Sequence, residues 1–405
     1  MQLRQELVDL KNELTRKPND INLLFMVGNT HFMLGEYEDA IGWYETVLKK
    51  FPDCFAPLKY SGHACRFLGQ PERAISYYHR ALALKPEEAH AQYGLAESLL
   101  TLGNLKDGWH YWESRYKRGK DVRNFTTKQW RPGITLAHKT VLLRAEYGLG
   151  DTIQFVRYAQ FLKKQNATVI VEAQKPLVDL LQRCPFIDRV VPLARFEDLP
   201  AFDIQIPIMS LPYVFFDQQP QILENTPYIF PDPALVSFWA TQLEQEKKIK
   251  IGICWDCAPS FDKLRPALSK KVIKLREFLP LLQLDSVSVY SLQKMNGTKQ
   301  IVQLPPGITL HTFNDDFDKT NGRFMDTAAV IANLDLIVTV DTSVAHLAGA
   351  MGKPVWVLLP YAADWRWMRN RTDTPWYTSM QLFRQHEPGD WQSVIDDVVL
   401  QLGLS

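Results

Sequence analysis

Pro18, Pro52 and Pro86 stand 34 residues apart, and this period constrains the fold more than any other feature of the chain. Gly28 and Gly62 keep the same spacing, as do the triplet Gly35, Gly69 and Gly103, the pair Ala40 and Ala74, and the series Tyr44, Tyr78 and Trp112. Several residue classes sharing one period imply a tandem array in which each unit repeats one local structure. Small residues at fixed places let the two helices of a hairpin touch. Aromatics fill the groove between hairpins, and the prolines close each second helix. The pattern predicts two well-formed units, Ile21 to Pro52 and Phe55 to Pro86. A third, from Ala89 to about Tyr116, has decayed, with Gly108 where alanine is expected. Residues 2–17 read as the second helix of a truncated leading unit.

This period and these residue classes resemble the tetratricopeptide repeat, which assigns residues 1–118 to a helical repeat domain. Such stacks usually hold peptides or proteins in a concave groove. So short an array can equally be a scaffold packed on the next domain, and both readings stand at this stage.

From about Thr140 the hydrophobic period changes. Val141-Leu-Leu-Arg-Ala145 is strand-like and runs into the tight loop Gly148-Leu-Gly-Asp-Thr152. Ile153 to Lys164 then reads as one amphipathic helix, and Thr168 to Glu172 as the next strand. This order opens a doubly wound sheet. Asp188 to Val191 and Phe202 to Ile206 continue the alternation, and the Pro-rich polar stretch Gln218 to Pro233 reads as a linker. A second series starts with the strand Ile249 to Trp255. It goes on through a helix near Leu275 to Leu284, a strand Val287 to Gln293 and a helix around Thr327 to Ala332. Strand 337–340, a helix 342–351, a strand Lys353 to Leu359 and a terminal helix Trp391 to Leu402 come next, the last able to reach back across the linker. The expected architecture is two facing Rossmann-like halves, 119–232 and 233–405, with a cleft at the carboxyl ends of their strands.

The segment Ile337 to Ala350 carries the sharpest functional signal. An apolar β-branched run leads into Asp341, read as the N-cap, with Thr342 and Ser343 in the first turn. A helix N-terminus at the end of a parallel strand is where α/β proteins bind phosphates, and His346 lies one turn further on. Gly148 and Gly150 allow close backbone approach. Asp151 is either a general base for a hydroxyl nucleophile or a helix cap. The basic loop after Trp255 offers Lys270 and Lys271 as cations for a diphosphate leaving group. In Asp364-Trp-Arg-Trp-Met368 the tryptophans read as packing residues, and Arg366 is open as a sugar or base contact, as is Gln293.

Composition excludes several classes. A formal net charge of +1 over 405 residues provides no field for nucleic acid. Apolar content of 46% is enough for a sizeable core. Five scattered cysteines fit a reducing compartment, and Cys254-Trp-Asp-Cys257 stands without a second pair, so no metal site is expected. Neither a signal peptide nor an apolar run of about 20 residues is present, and a cytoplasmic location is expected.

Gly148-Leu-Gly-Asp-Thr-Ile-Gln-Phe-Val-Arg-Tyr158 and Val340-Asp-Thr-Ser-Val-Ala-His-Leu-Ala-Gly-Ala350, after such repeats, resemble bacterial repeat-containing glycosyltransferases. Their catalytic part is similar to the heptosyltransferases of glycosyltransferase family 9. Lys353 to Pro360, Asp364-Trp-Arg-Trp367 and Trp376-Tyr377 fit the same group. The domain order is also similar to that of the O-linked N-acetylglucosamine transferases. The chain departs from the pattern at Lys271-Val-Ile-Lys-Leu275, where relatives usually carry an Arg-Ser-Ile-Pro-Leu type segment, and at Cys257, where glycine is common. The resemblance implies a GT-B fold, a nucleotide-sugar donor in the second half and metal-independent inverting transfer without a cofactor. Asp151 matches the base, and Thr342, Ser343 and His346, with Asp341 beside them, match the donor diphosphate element. The repeats make a protein acceptor the leading expectation. A saccharide or lipopolysaccharide acceptor, and a non-catalytic scaffold that only binds a nucleotide sugar, are the alternatives.

Overall fold

The 34-residue period is realised as seven helices. These are α1 (Gln2–Arg16), α2 (Ile21–Met33), α3 (Tyr37–Lys50), α4 (Phe55–Phe67), α5 (Pro71–Leu84), α6 (Ala89–Thr101) and α7 (Leu105–Trp112). The computed structural model describes residues 2–118, 127–130, 134–219, 222, 226–243, 246–257 and 272–403. They fall into two compact units. One joins residues 2–118 to the later segment Ala362–Asn370, and the other holds the remaining described residues.

In the helical unit, α2/α3, α4/α5 and α6/α7 are hairpins. Each turns through a glycine in the left-handed region, with φ of 78° at Gly35, 71° at Gly69 and 79° at Gly103. The residue after each glycine donates its N–H back to the helix, Glu36 to His31 O, Gln70 to Cys65 O and Asn104 to Leu99 O. Glycine adopts this conformation without a Cβ penalty, which is why the triplet keeps the period. Gly28 and Gly62 serve packing instead. A Cβ on Gly28 would lie 2.7 Å from Tyr44 Cε1, and one on Gly62 2.6 Å from Tyr78 Cε1. Tyr78 also covers Gly94 of the next hairpin, so the ring fills the groove between hairpins as the sequence implies. Gly108 has a reason too: a Cβ there would lie 2.6 Å from Leu100 Cδ2. Leu7, Leu10 and Leu14 of α1 join Leu23, Leu24 and Val27 of α2 in one apolar cluster. Trp365 packs edge-to-face on Trp109 and Trp112, with 5.3 Å between ring centroids in both pairs.

The second unit is built on two parallel sheets. Its elements run β1 (Thr140–Arg144), α8 (Leu149–Phe155), α9 (Tyr158–Lys164), β2 (Thr168–Ala173), α10 (Val178–Leu181), β3 (Arg189–Pro192), β4 (Ile204–Pro207), α11 (Leu211–Val214) and α12 (Pro233–Leu243). Then come β5 (Ile249–Cys254), α13 (Leu279–Leu282), β6 (Val287–Ser291), α14 (Met325–Asn333), β7 (Leu336–Val340), α15 (Ser343–Ala350), β8 (Val355–Leu359), β9 (Met380–Arg384) and α16 (Trp391–Gln401). The first sheet has the order β3-β2-β1-β4 and the second β6-β5-β7-β8-β9. In register, Leu142 of β1 lies opposite Ile170 and Gln205, and Val338 of β7 opposite Ile253 and Trp356. Among the described residues no helix is long and apolar enough to cross a membrane.

Two expectations are corrected. The helix expected over Ile153 to Lys164 starts earlier and breaks at Val156–Arg157, giving α8 and α9. The Pro-rich stretch read as a linker runs between the elements of the two sheets and is packed at Tyr228, which is fully buried and whose N–H donates to Ala350 O at 2.8 Å. The terminal helix does not reach back, because Val394, Ile395 and Val398 of α16 are buried in the core of the second sheet with Ile251 and Val338.

Two glycine substitutions separate backbone freedom from packing in the repeats. Gly62→Ala pushes a Cβ into a buried ring and is expected to cost about 1–3 kcal/mol. Gly42→Ala, on exposed α3 backbone with nothing within 4 Å of a Cβ, is expected to stabilise by about 0.5–1 kcal/mol. Urea unfolding followed by helical circular dichroism reads both, and equal effects of the two would count against the ring-on-glycine packing.

Candidate functional site

Both sheets reverse their strand order once. From β1 the chain goes first to β2 on one side and later to β4 on the other; from β5 it goes to β6 and then to β7. The crevice outside the carboxyl ends of strands at such a switch is where open α/β sheets bind ligands. The Gly148–Asp151 turn leaves β1, and the Asp341–Ser343 turn leaves β7, so the two strongest sequence signals fall at these places.

At the end of β7, the cap is Thr342 and not Asp341. Thr342 has extended backbone (φ −135°, ψ 173°), and its side chain accepts from Val344 N–H at 3.2 Å. The register follows from Thr339, the last polar residue of the buried strand, whose Oγ1 lies 3.2 Å from Thr342 Oγ1. Asp341 therefore sits just outside the helix, beside its positive end. An α-helix start leaves amide groups without intrahelical partners, the chemistry that favours an anionic ligand.

At the end of β1, Gly148 is the cap of α8, and Asp151 occupies the third helical position. Its carboxylate accepts from Gly148 N–H at 2.8 Å. Asp151 is thus a helix-start carboxylate by geometry and half-buried by exposure.

The two turns are brought together by packing of α8 against α15. A Cβ on Gly150 would lie 2.8 Å from His346 Cδ2, so only glycine at this place lets the imidazole stand against the α8 backbone. His346 is buried, and its Nδ1 lies 2.9 Å from Tyr377 Oη. Tyr377 in turn packs on Gly349, where a Cβ would lie 2.7 Å from Tyr377 Cγ. Burial pushes the Tyr377 phenol well above its ordinary pKa, so it stays protonated at neutral pH and serves as a hydrogen-bonding partner for the imidazole.

Arg157, at the break between α8 and α9, ties this region to its surroundings. Its Nε donates to Gln154 O (2.8 Å), Nη1 to Trp376 O (2.7 Å) and Nη2 to Tyr228 Oη (3.0 Å). The rings of Tyr228 and Tyr377 lie 4.8 and 4.7 Å from the guanidinium carbon. Tyr228 donates its own hydroxyl proton to Ile153 O at 2.9 Å. Sequence reasoning missed Arg157, Tyr228 and Tyr377 as a group. Arg157 and Tyr377 stand inside stretches that carry the family resemblance, but nothing in the sequence joins them to Tyr228.

The remaining candidates divide. Gln293 is buried at the end of β6, and its amide is fully engaged with backbone. Oε1 accepts from Trp255 N and Asp256 N, both at 2.9 Å, and Nε2 donates to Asp256 O and Asn296 O. These bonds shape the exit of β5. Arg366 bonds Asp364 Oδ1 at 2.8 Å, stacks on Trp365 and belongs to the segment that counts with the helical unit. Lys270 and Lys271 lie outside the described residues. Cys254 is buried, with its thiol pushed up to about 11 by burial, which keeps it protonated and unreactive at neutral pH. Neither Cys254 nor Cys257 joins a metal-ligand cluster among the described residues.

Comparison with known proteins fits this division of the chain. The family model for the tetratricopeptide repeat matches residues 21–54 and 62–121. That for glycosyltransferase family 9 (heptosyltransferase) matches residues 321–388, the span holding α14, β7, α15, β8 and β9. Protein FlbA of Caulobacter vibrioides is 24% identical over 425 residues, covering 97% of this chain and 69% of FlbA. The protein CTR9 homolog of Arabidopsis thaliana is 38% identical over 77 residues, 19% of this chain and 7% of that protein. Among solved structures, MamA 41-end from Desulfovibrio magneticus RS-1 shares 23% identity at a TM-score of 0.28, covering 31% of this chain and 71% of that one. The chain therefore carries tetratricopeptide repeats in its N-terminal region and a glycosyltransferase family 9 domain toward its C-terminal end.

Proposed function

We propose that this protein moves a sugar from a nucleotide-sugar donor to a hydroxyl acceptor, with inversion and without a metal, on a GT-B scaffold formed by its two parallel sheets. The observation that carries the reading is the meeting of the Asp151 turn with α15 at the Gly150–His346 contact. A base and an anion seat thereby belong to one region. In the reaction, Asp151 takes the proton of the acceptor hydroxyl as its oxygen attacks the anomeric carbon. The bond from that carbon to the diphosphate oxygen breaks, and the electron pair leaves with the nucleoside diphosphate. The start of α15 with Thr342 and Ser343, and the cations of Lys270 and Lys271, meet the developing charge. His346, held by Tyr377, supplies a further polar edge beside the same helix.

The tetratricopeptide repeats favour a protein as the acceptor, with a saccharide as the second reading. Removing the repeats wholesale is a poor test, because it would strip Trp365 of its cover on Trp109 and Trp112. Point variants are cleaner.

Asp151→Asn is expected to lower transfer by about 10²–10⁴-fold, the usual contribution of a positioned base, while nucleotide binding survives. Normal turnover in this variant would remove Asp151 as the base. Calorimetry against a panel of nucleoside diphosphates is expected to find at least one that binds, and Thr342→Val, which removes the capping oxygen, is expected to weaken it several-fold. No binding across the panel would sink the donor-site reading.

A further inference from the structure

Tyr147 has a backbone that its side chain does not favour. It leads from the end of β1 into the Gly148–Asp151 turn with φ of 48°, in the left-handed region, where a bulky side chain is crowded and glycine is not. The repeats meet the same requirement with Gly35, Gly69 and Gly103. At residue 147 the chain keeps a ring instead, and this tyrosine is 58% exposed, so burial does not offset the crowding. The conformation is held from outside. Gln174, the residue after β2, donates from Nε2 to the carbonyls of both Tyr147 (3.3 Å) and Gly148 (3.2 Å). Its Oε1 accepts from the hydroxyl of fully buried Thr152 at 2.8 Å, which fixes the amide. Gly148 N–H in turn donates to the Asp151 carboxylate. One amide therefore locks the corner that carries both the tyrosine and the carboxylate. Strained backbone that its surroundings over-determine clusters at sites that act on a ligand.

We propose that Tyr147 is a specificity-determining residue whose exposed ring packs against the apolar C–H face of the sugar being transferred. This rests on the glycosyltransferase reading. In that reaction the anomeric carbon lies between the acceptor oxygen, whose proton goes to Asp151, and the diphosphate oxygen at the start of α15. The transferred ring then stands beside the turn that Tyr147 opens. A pyranose offers an apolar C–H face as well as hydroxyls, and a phenol offers a flat apolar body with a polar tip. A glycine at 147 would make the same turn with no strain and no such surface.

Calorimetry on the full chain, with ADP, GDP, UDP and dTDP and the glucose and mannose esters of each, tests this. At least one ester is expected to bind the unaltered protein more tightly than its own nucleoside diphosphate. Tyr147→Gly is expected to lose about fivefold or more of that ester's affinity, while the nucleoside diphosphate binds as before. Tyr147→Phe is expected to keep both affinities. Melting temperatures read the strain separately: Tyr147→Gly is expected to melt above Tyr147→Ala, which loses the same ring but keeps a Cβ. An equal loss for ester and nucleoside diphosphate would assign Tyr147 to the shape of the turn and overturn the proposal. Esters that gain nothing from their sugar, or whose affinity ignores the ring, would overturn it as well, and so would Tyr147→Ala melting as high as Tyr147→Gly. Binding of none of these nucleotides would remove the glycosyltransferase reading and the proposal together, whereas nucleotide binding indifferent to Tyr147 removes the proposal alone.

Discussion

The packing of α8 on α15 is the constraint on which the α/β unit depends. It holds at one point because Gly150 has no side chain and His346 has a flat one. Arg157 then fixes the approach from behind. Its guanidinium satisfies two backbone carbonyls and one phenol, on elements as distant in sequence as Gln154, Tyr228 and Trp376. A buried cation is costly unless every donor is used and its charge is met by carbonyl dipoles and ring faces. Here the same arginine also closes the chain break that separates α8 from α9, since its Nε bonds the Gln154 carbonyl that a continuing helix would have used.

This arrangement explains why functional and structural readings of Asp151 need not compete. A carboxylate at the third helical position bonds the Gly148 amide with one oxygen, which orients the other and holds the turn near His346. The same economy holds at Thr342, whose hydroxyl both caps α15 and touches Thr339 at the end of β7. In each turn the group that positions the backbone is also the group nearest the expected chemistry. Losing it would disturb geometry and reaction together, so binding and turnover have to be read separately in any variant.

How far the sequence reveals this fold depends on how local the cause is. The repeats are legible because every helix pair restates the same glycine turn and ring-on-glycine contact at one period. The strands of both sheets are legible because they are short β-branched runs, and most ends fall within a residue or two of expectation. The cap at β7 is misread by one residue, since Asp341 and Thr342 are both good capping residues and the choice is made by where the buried strand ends. The helix break at Arg157, the burial of Tyr228 inside a Pro-rich stretch and the joining of Trp365 to the helical unit are not legible. Each is decided by partners far away in the chain, which neither propensity nor periodicity can report. Short β9 escapes notice for a related reason, because its one ladder partner, β8, gives Met380–Arg384 its strand character.

One device recurs in both units with different consequences. In the repeats, Tyr44 on Gly28 and Tyr78 on Gly62 use glycine to bury a ring against a neighbouring helix. In the α/β unit, His346 on Gly150 and Tyr377 on Gly349 do the same. Repetition makes the first pair readable and leaves it purely a matter of packing. The second pair occurs once, so nothing in the pattern of the chain announces it. Yet the rings it buries are an imidazole and the phenol hydrogen-bonded to it, held one helical turn from the start of α15. The backbone clearance that packs the repeats is, in the α/β unit, what brings polar chemistry to the end of a strand.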